Sequence, residues 1–254
     1  MKRLSRVSYC LLLILFLVNA LQAQDMKPDA ARLYNSGNQL LKSGNYNGAI
    51  TDYDKALTIE KDYRIFYQKG IALKKSRNLE EAKNAFEDCL KTKSDFEAAY
   101  NALGGVYFSM GNYEAAANNF EKILGISKNN SVKTKVKSNL SLAYTKLGTI
   151  AASDGNSTKA IEYLKKAVSN SNYDAAYLAL AKIYSETGSY DNCIDAAQNA
   201  LKYRKSVGKG GPYYYMGIAF KNKGDLSKAK DMFTQARTDA TYRKTADYEL
   251  TALK

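Results

Sequence analysis

A pair of small residues returns along most of this chain, usually 33 or 34 residues after its last appearance. Gly37, Gly70, Gly104, Gly148 and Gly217 mark the first position, with Ala181 standing there in the fifth copy. Ala49, Ala82, Ala116, Ala160, Cys193 and Ala229 mark the second. Four residues later comes Tyr53, Phe86, Phe120, Leu164, Ala197 or Phe233. Three further on comes Ala56, Cys89, Ile123, Ala167, Ala200 or Ala236. A period of this length marks an array of helical repeats.

The spacing carries its own physics. Ala49, Tyr53 and Ala56 stand at i, i+4 and i+7, on one face of a helix. Gly37 and Ala49 are small because two helices approach closely there, and the rings fill the space beside them. A single helix pair cannot bury its apolar face, so the copies must stack and share a continuous core. The composition agrees: two prolines, no tryptophan and no alternating apolar run suit many short helices with polar turns.

The clearest copy reads Tyr100, Leu103, Gly104, Tyr107, Gly111, Tyr113, Ala116, Phe120. It resembles the tetratricopeptide repeat, W-x2-L-G-x2-Y followed by A-x3-F-x2-A. The resemblance runs from residue 30 to about 240. Two features depart from it. Leu33, Phe66, Tyr100, Tyr144, Tyr177 and Tyr213 replace the family's Trp, and its Pro after the second helix is missing from every copy. Asn, Asp, Lys and Ser are left to make those turns. The resemblance implies an all-α fold: a right-handed superhelical solenoid of six helix-turn-helix repeats over 30–62, 63–96, 97–130, 131–173, 174–209 and 210–240. Residues 241–254, with Ala246, Leu250 and Leu253 on one face, are expected to form a capping helix.

The N-terminus has the pattern of a targeting segment. Lys2, Arg3 and Arg6 precede the uncharged apolar run Leu11 to Val18, and small residues at Ala20 and Ala23 suit cleavage after Ala23. Residues 1–23 are thus expected to be a signal peptide, with 24–29 a short linker. The alternative is an uncleaved membrane anchor, although the uncharged stretch from Val7 to Leu21 is shorter than the roughly 20 residues a spanning helix needs. Cys10 precedes the apolar run, unlike a lipidation cysteine. Export of such a repeat array points to a periplasmic or secreted bacterial protein. Removing the three basic residues of the segment leaves 35 bases against 25 acids, a balance that favours an acidic partner. No nucleic-acid motif is present.

The residue inventory argues against catalysis. The chain has no His, so no Ser-His-Asp or Cys-His arrangement exists. Cys89 and Cys193 both fall on small-residue positions, three repeats apart, and are read as buried thiols. Zinc of the common type has no ligand set here. Asp154-Gly155-Asn156-Ser157 is a turn without the Glu of a calcium loop. Gly208-Lys209-Gly210-Gly211 lacks the spacer and Ser or Thr of a phosphate loop and is read as a flexible connection that lets the last pair shift. No cofactor is expected.

First helices of this family line a concave groove, so the resemblance places a partner there. The candidate contacts are Tyr34, Asn38, Lys42, Arg64, Tyr67, Ile71, Lys74, Lys75, Asn101, Phe108, Lys182 and Tyr214. Rings and bases together suit a protein or peptide with acidic character. Some family members grip a C-terminal carboxylate with Lys and Asn. Here Tyr34 takes the Lys place, only Asn38 matches, and Ala98 and Ala102 replace later bases, which argues against that clamp. The interval from Ala116 to Ala160 is 44 residues. Val132, Val136 and Leu140 at i, i+4 and i+8 predict a first helix about 15 Å longer than the others. Lys133, Lys135 and Lys137 make this extension basic and open to an anionic membrane face. A loop is the alternative. These readings converge on a non-catalytic scaffold or adaptor of the bacterial cell envelope. An accessory subunit of a periplasmic enzyme or assembly complex, or a self-associating solenoid, remains the alternative.

Overall fold

The computed structural model describes residues 26–253; the expected signal peptide, its expected cleavage after Ala23 and Cys10 lie outside the described residues. Among the described residues there are thirteen α-helices and no strand. They fall into two compact units that meet in sequence at Ser94 and Asp95. The first unit holds two helix pairs, α1 (Pro28–Lys42) with α2 (Tyr46–Ile59) and α3 (Tyr63–Lys75) with α4 (Leu79–Thr92). The second holds four pairs: α5 (Glu97–Ser109) with α6 (Tyr113–Ile126), α7 (Asn130–Ser153) with α8 (Ser157–Asn170), α9 (Asp174–Glu186) with α10 (Tyr190–Lys202), and α11 (Gly210–Asn222) with α12 (Leu226–Ala236). The last helix, α13, is Arg243–Ala252.

Turn chemistry sets the beginning of each second helix. The residue five before each marker alanine or cysteine is left-handed: Gly44, Arg77, Gly111, Gly155, Gly188 and Gly224. Next comes a cap. Asn45, Asn112, Asn156 and Asp225 each accept a hydrogen bond from the N–H three residues on, which satisfies one free donor of the helix start. Arg77, at φ 66°, is the non-glycine member of the series and carries the steric cost that glycine avoids. The family's Pro is dispensable because α2, α4, α6 and α8 end on residues that are already extended, namely Glu60, Lys93, Ser127 and Ser171.

The glycines are small for the reason their spacing predicts. A Cβ at Gly37 would lie 2.6 Å from the Tyr53 ring, at Gly70 2.6 Å from Phe86, at Gly104 2.7 Å from Phe120 and at Gly217 2.6 Å from Phe233. At Gly148 it would meet Leu164 at 2.6 Å. The fifth copy is complementary: where Ala197 replaces the ring, Ala181 replaces the glycine, and both are fully buried. The glycine contact is therefore a fitted pair, and in the fifth copy the small position grows where the large one shrinks.

The spacing breaks have definite structures. Helix α7 has 24 residues against 13 in α5, an excess of about 16 Å. Val136 and Leu140 are buried along it and Val132 partly so, while Lys135 and Lys137 are exposed. The extension is thus helix, folded because its apolar row packs on the unit's core. The glycine-rich connection is not the free joint expected from sequence. Asp174, at 2% exposure, accepts hydrogen bonds from the backbone N–H groups of Lys205, Ser206 and Val207 and from the Ser206 hydroxyl. Burial acts to raise its pKa, but these donors outweigh it and hold the carboxyl well below the usual range. A Cβ at Gly210 would lie 2.3 Å from Asp239, and one at Gly211 would crowd Tyr242 and Leu178, so larger residues would force those neighbours to shift. Finally, α13 buries Ala246 against Ala229, Phe233 and Ala236, with Leu250 and Leu253 packed beside them.

Candidate functional site

In the first unit, packing uses up much of the face expected to meet a partner. Tyr34 and Tyr67 are partly buried and lie against rings of their own second helices, Tyr34 on Tyr53 at 6.2 Å and Tyr67 on Phe86 at 5.8 Å. Asn38 accepts the Tyr53 hydroxyl at 2.8 Å, fixing an otherwise buried O–H. Burial, with Tyr34 and Asp52 nearby, raises the pKa of that hydroxyl. Arg64 donates to Asp62 through its Nε and one terminal nitrogen, at 2.9 and 2.6 Å. Asp62 also caps α3 through the Arg64 N–H at 2.7 Å. Burial tends to raise the Asp62 pKa, but the bonds from Arg64 prevail and lower it. Ile71 is half-buried. What packing leaves open is basic. Lys42 and Lys75 are exposed, Lys74 is half-exposed, and none of the three pairs with a carboxylate among the described residues.

The second unit treats its candidates in the same way. Tyr214 packs on Phe233 at 5.9 Å and on Tyr242 at 5.5 Å, and Phe108 on Tyr113 at 5.0 Å. Thr145, which sequence spacing places in the same row as Tyr34 and Tyr67, is buried and donates to the Ser141 carbonyl. Asn101 is exposed and accepts from Asn139 on the α7 extension at 3.4 Å. Lys182 is exposed, 3.9 Å from Glu186. It lines an open cleft of about 290 Å³ between α7 and α9, with Thr149, Ala152, Ser153, Ala179, Ile183 and Glu186. This cleft lies between neighbouring first helices and offers hydroxyls, one base, one acid and a small apolar floor. It suits a polypeptide segment better than a compact metabolite.

A second and larger hollow, about 520 Å³, was not expected from sequence. It opens between α6 and α8, two second helices, over Tyr144 and Leu147 of α7. Its signal was present at Tyr163: the same register position holds Asp52, Ala85, Asn119, Ala196 and Met232 in the other copies. A ring is not needed there for repeat packing. Among the described residues no cluster of three His, Cys, Asp or Glu side chains can hold a metal ion, and no helix is long and apolar enough to cross a membrane. Cys89 and Cys193 are both free and buried.

Two family models described as tetratricopeptide repeat match the chain, one at residues 94–172 and the other at 30–63, 63–96 and 174–206. The chain belongs to the tetratricopeptide-repeat family. Members of that family generally mediate protein–protein contacts and are not generally catalysts. Similar proteins include the TPR repeat-containing protein MJ1428 of Methanocaldococcus jannaschii, 24% identical over 208 residues. That match covers 78% of this chain and 36% of MJ1428, so the chain spans about a third of that relative's length. The photosystem I assembly protein Ycf3 of Prochlorococcus marinus is 29% identical over 139 residues, covering 51% of this chain and 78% of Ycf3. Among solved structures, the crystal structure of YrrB, a TPR protein with an unusual peptide-binding site, superposes with a TM-score of 0.51. It is 21% identical and covers 78% of this chain and 96% of its own. MamA gives a TM-score of 0.50 at 22% identity, covering 74% of this chain and 96% of its own. At these identities the likeness is one of fold.

Proposed function

We propose that this protein is a non-catalytic scaffold or adaptor of the bacterial cell envelope, exported by its N-terminal segment, that holds an acidic segment of a partner protein on its first helices. The observation that carries this reading is the set of open bases on α1 and α3. Tyr34, Asn38, Tyr67 and Arg64 are engaged within the fold, whereas Lys42, Lys74 and Lys75 pair with no carboxylate among the described residues. A solvated lysine pair or triplet contributes little to stability, so its charge is available to an incoming acid. The export step rests on the basic head and apolar run before Ala23.

Crosslinking in intact cells, followed by mass spectrometry, identifies the partner. Titrating an acidic segment of that partner against the triple variant Lys42→Ala, Lys74→Ala, Lys75→Ala then tests the surface. Affinity should fall and the salt dependence should flatten. Unchanged affinity and unchanged salt dependence refute this face. Cell fractionation with N-terminal sequencing tests export, and a chain that retains Met1 in the cytoplasm refutes it.

A further inference from the structure

The hollow over Tyr144 has walls of unlike character. On α6, Glu114 and Glu121 stand two helical turns apart on one face, with the small Ala117 between them. Neither forms an ion pair among the described residues, although the chain carries a net charge of +13 and Lys166, across the hollow, lies within electrostatic reach of Glu121. On α8 one acid, Glu162, stands with two bases. Lys166 pairs with Glu162 at 2.9 Å and lies 5.8 Å from the centres of the Tyr144 and Tyr163 rings. Lys159 lies 5.6 Å from the centre of Tyr163. One wall therefore pairs Lys166 within itself and holds Lys159 against a ring, and the other presents two carboxylates outside any ion pair among the described residues.

The floor is flat and ordered. Tyr144 and Tyr163 stack at 6.1 Å with 23° between their planes. The Tyr144 hydroxyl donates to Glu121 at 2.5 Å, which fixes that carboxylate at the edge of the rings. Leu147 continues the apolar surface. Two acceptors above a stacked aromatic floor match a planar cation with several donors and an apolar stem. Arginine has that form: its fork pairs with carboxylates, and its face lies well on a ring. An ammonium offers a point charge and no plane. The volume admits a long side chain with some flanking backbone.

We propose that this hollow binds an arginine-bearing segment of a partner protein, with the guanidinium held by Glu114 and Glu121 and its stem laid over Tyr144 and Leu147. The charged walls of the site are second helices and it shares no residue with Lys42, Lys74 and Lys75, so it stands or falls independently of that first-helix face. It would let one scaffold hold an acidic segment and a basic segment at the same time.

The test uses the mature full chain and three short labelled peptides of identical length: one alternating Arg and Ser, one Lys and Ser, one Glu and Ser. Fluorescence anisotropy at low salt should rank binding Arg above Lys, with the Glu peptide silent. Glu114→Gln with Glu121→Gln should weaken the Arg peptide about tenfold or more. Tyr163→Ala should weaken it too. The Lys42, Lys74, Lys75 triple alanine variant should leave it unchanged, which separates this site from the first-helix face. The Glu114→Gln single variant, whose side chain makes no hydrogen bond among the described residues, is read in place of the pair if the double variant melts early. The proposal is overturned if the Glu peptide binds as well as the Arg peptide, if the Arg peptide fails to bind the wild type, or if removing the carboxylates leaves its affinity unchanged.

Discussion

Replacing Gly104 by leucine tests the physical basis of the whole array. The first added atom would sit 2.7 Å from the Phe120 ring, and the ring cannot withdraw because Phe120 is only 3% exposed. Three more atoms then have to find room in the same contact. Overpacking of this kind costs about 3 kcal/mol at the upper end of its usual range. Leucine returns somewhat under 1 kcal/mol over glycine as a helix former. The net loss is therefore about 2 kcal/mol, which lowers the melting temperature of a unit of this size by roughly 4–8 °C. The assay is thermal melting followed by circular dichroism at 222 nm. Gly125→Ala in α6 is the internal control: the residue is helical and exposed, and an added Cβ meets nothing within 4 Å. It should raise the melt slightly through propensity alone. A sharper form copies the fifth repeat. Phe120→Ala alone should cost about 3–5 kcal/mol. Adding Gly104→Ala should recover part of that loss, as Ala181 with Ala197 does naturally, giving a coupling of about 1 kcal/mol. If Gly104→Leu melts with the wild type, or if the two alanine changes simply add, the fitted-pair reasoning fails.

Arg77→Gly removes the left-handed cost at the turn between α3 and α4 and should stabilise by about 1 kcal/mol in chemical denaturation, an expectation refuted by a lower midpoint. Asp174→Ala leaves the N–H groups of Lys205, Ser206 and Val207 without their acceptor; a loss of about 3 kcal/mol is expected, together with faster amide exchange at those three residues. Because the folded pKa of Asp174 is depressed, its contribution is complete above the unfolded value of about 3.9 and is lost progressively as pH falls from there toward the lower folded value. The wild type should therefore lose stability between about pH 4 and pH 2 more steeply than Asp174→Asn, and parallel acid profiles would count against the assignment. Burial pushes the Cys89 and Cys193 thiols up to about 12, so iodoacetamide at pH 8 should label neither until denaturant is added; rapid native labelling would show that either thiol is reachable.

The repeat pattern alone determined the helices, their pairing and the residues at each contact, because those depend on local spacing and on size. Gly104 facing Phe120, the inward row Val132, Val136 and Leu140, and the capping face of Ala246, Leu250 and Leu253 all follow from which positions recur every three or four residues. Spacing cannot say which polar group is already spoken for, since that depends on partners distant in sequence. Only the tertiary structure showed Asn38 bound to Tyr53, Arg64 bound to Asp62, and Tyr34, Tyr67 and Tyr214 packed on rings of their second helices. Asp174 is the strongest case. In the sequence it is one of many carboxylates, and in the fold it gathers a glycine-rich connection 31 residues away and makes it rigid. The hollow over Tyr144 is decided in the same way: Glu114, Glu121, Tyr144 and Tyr163 lie on three helices, and only packing brings two acids outside any ion pair among the described residues to the edge of two stacked rings. Local periodicity fixes which side of a helix is buried, while the meeting of separate helices fixes which charges and rings remain free to act.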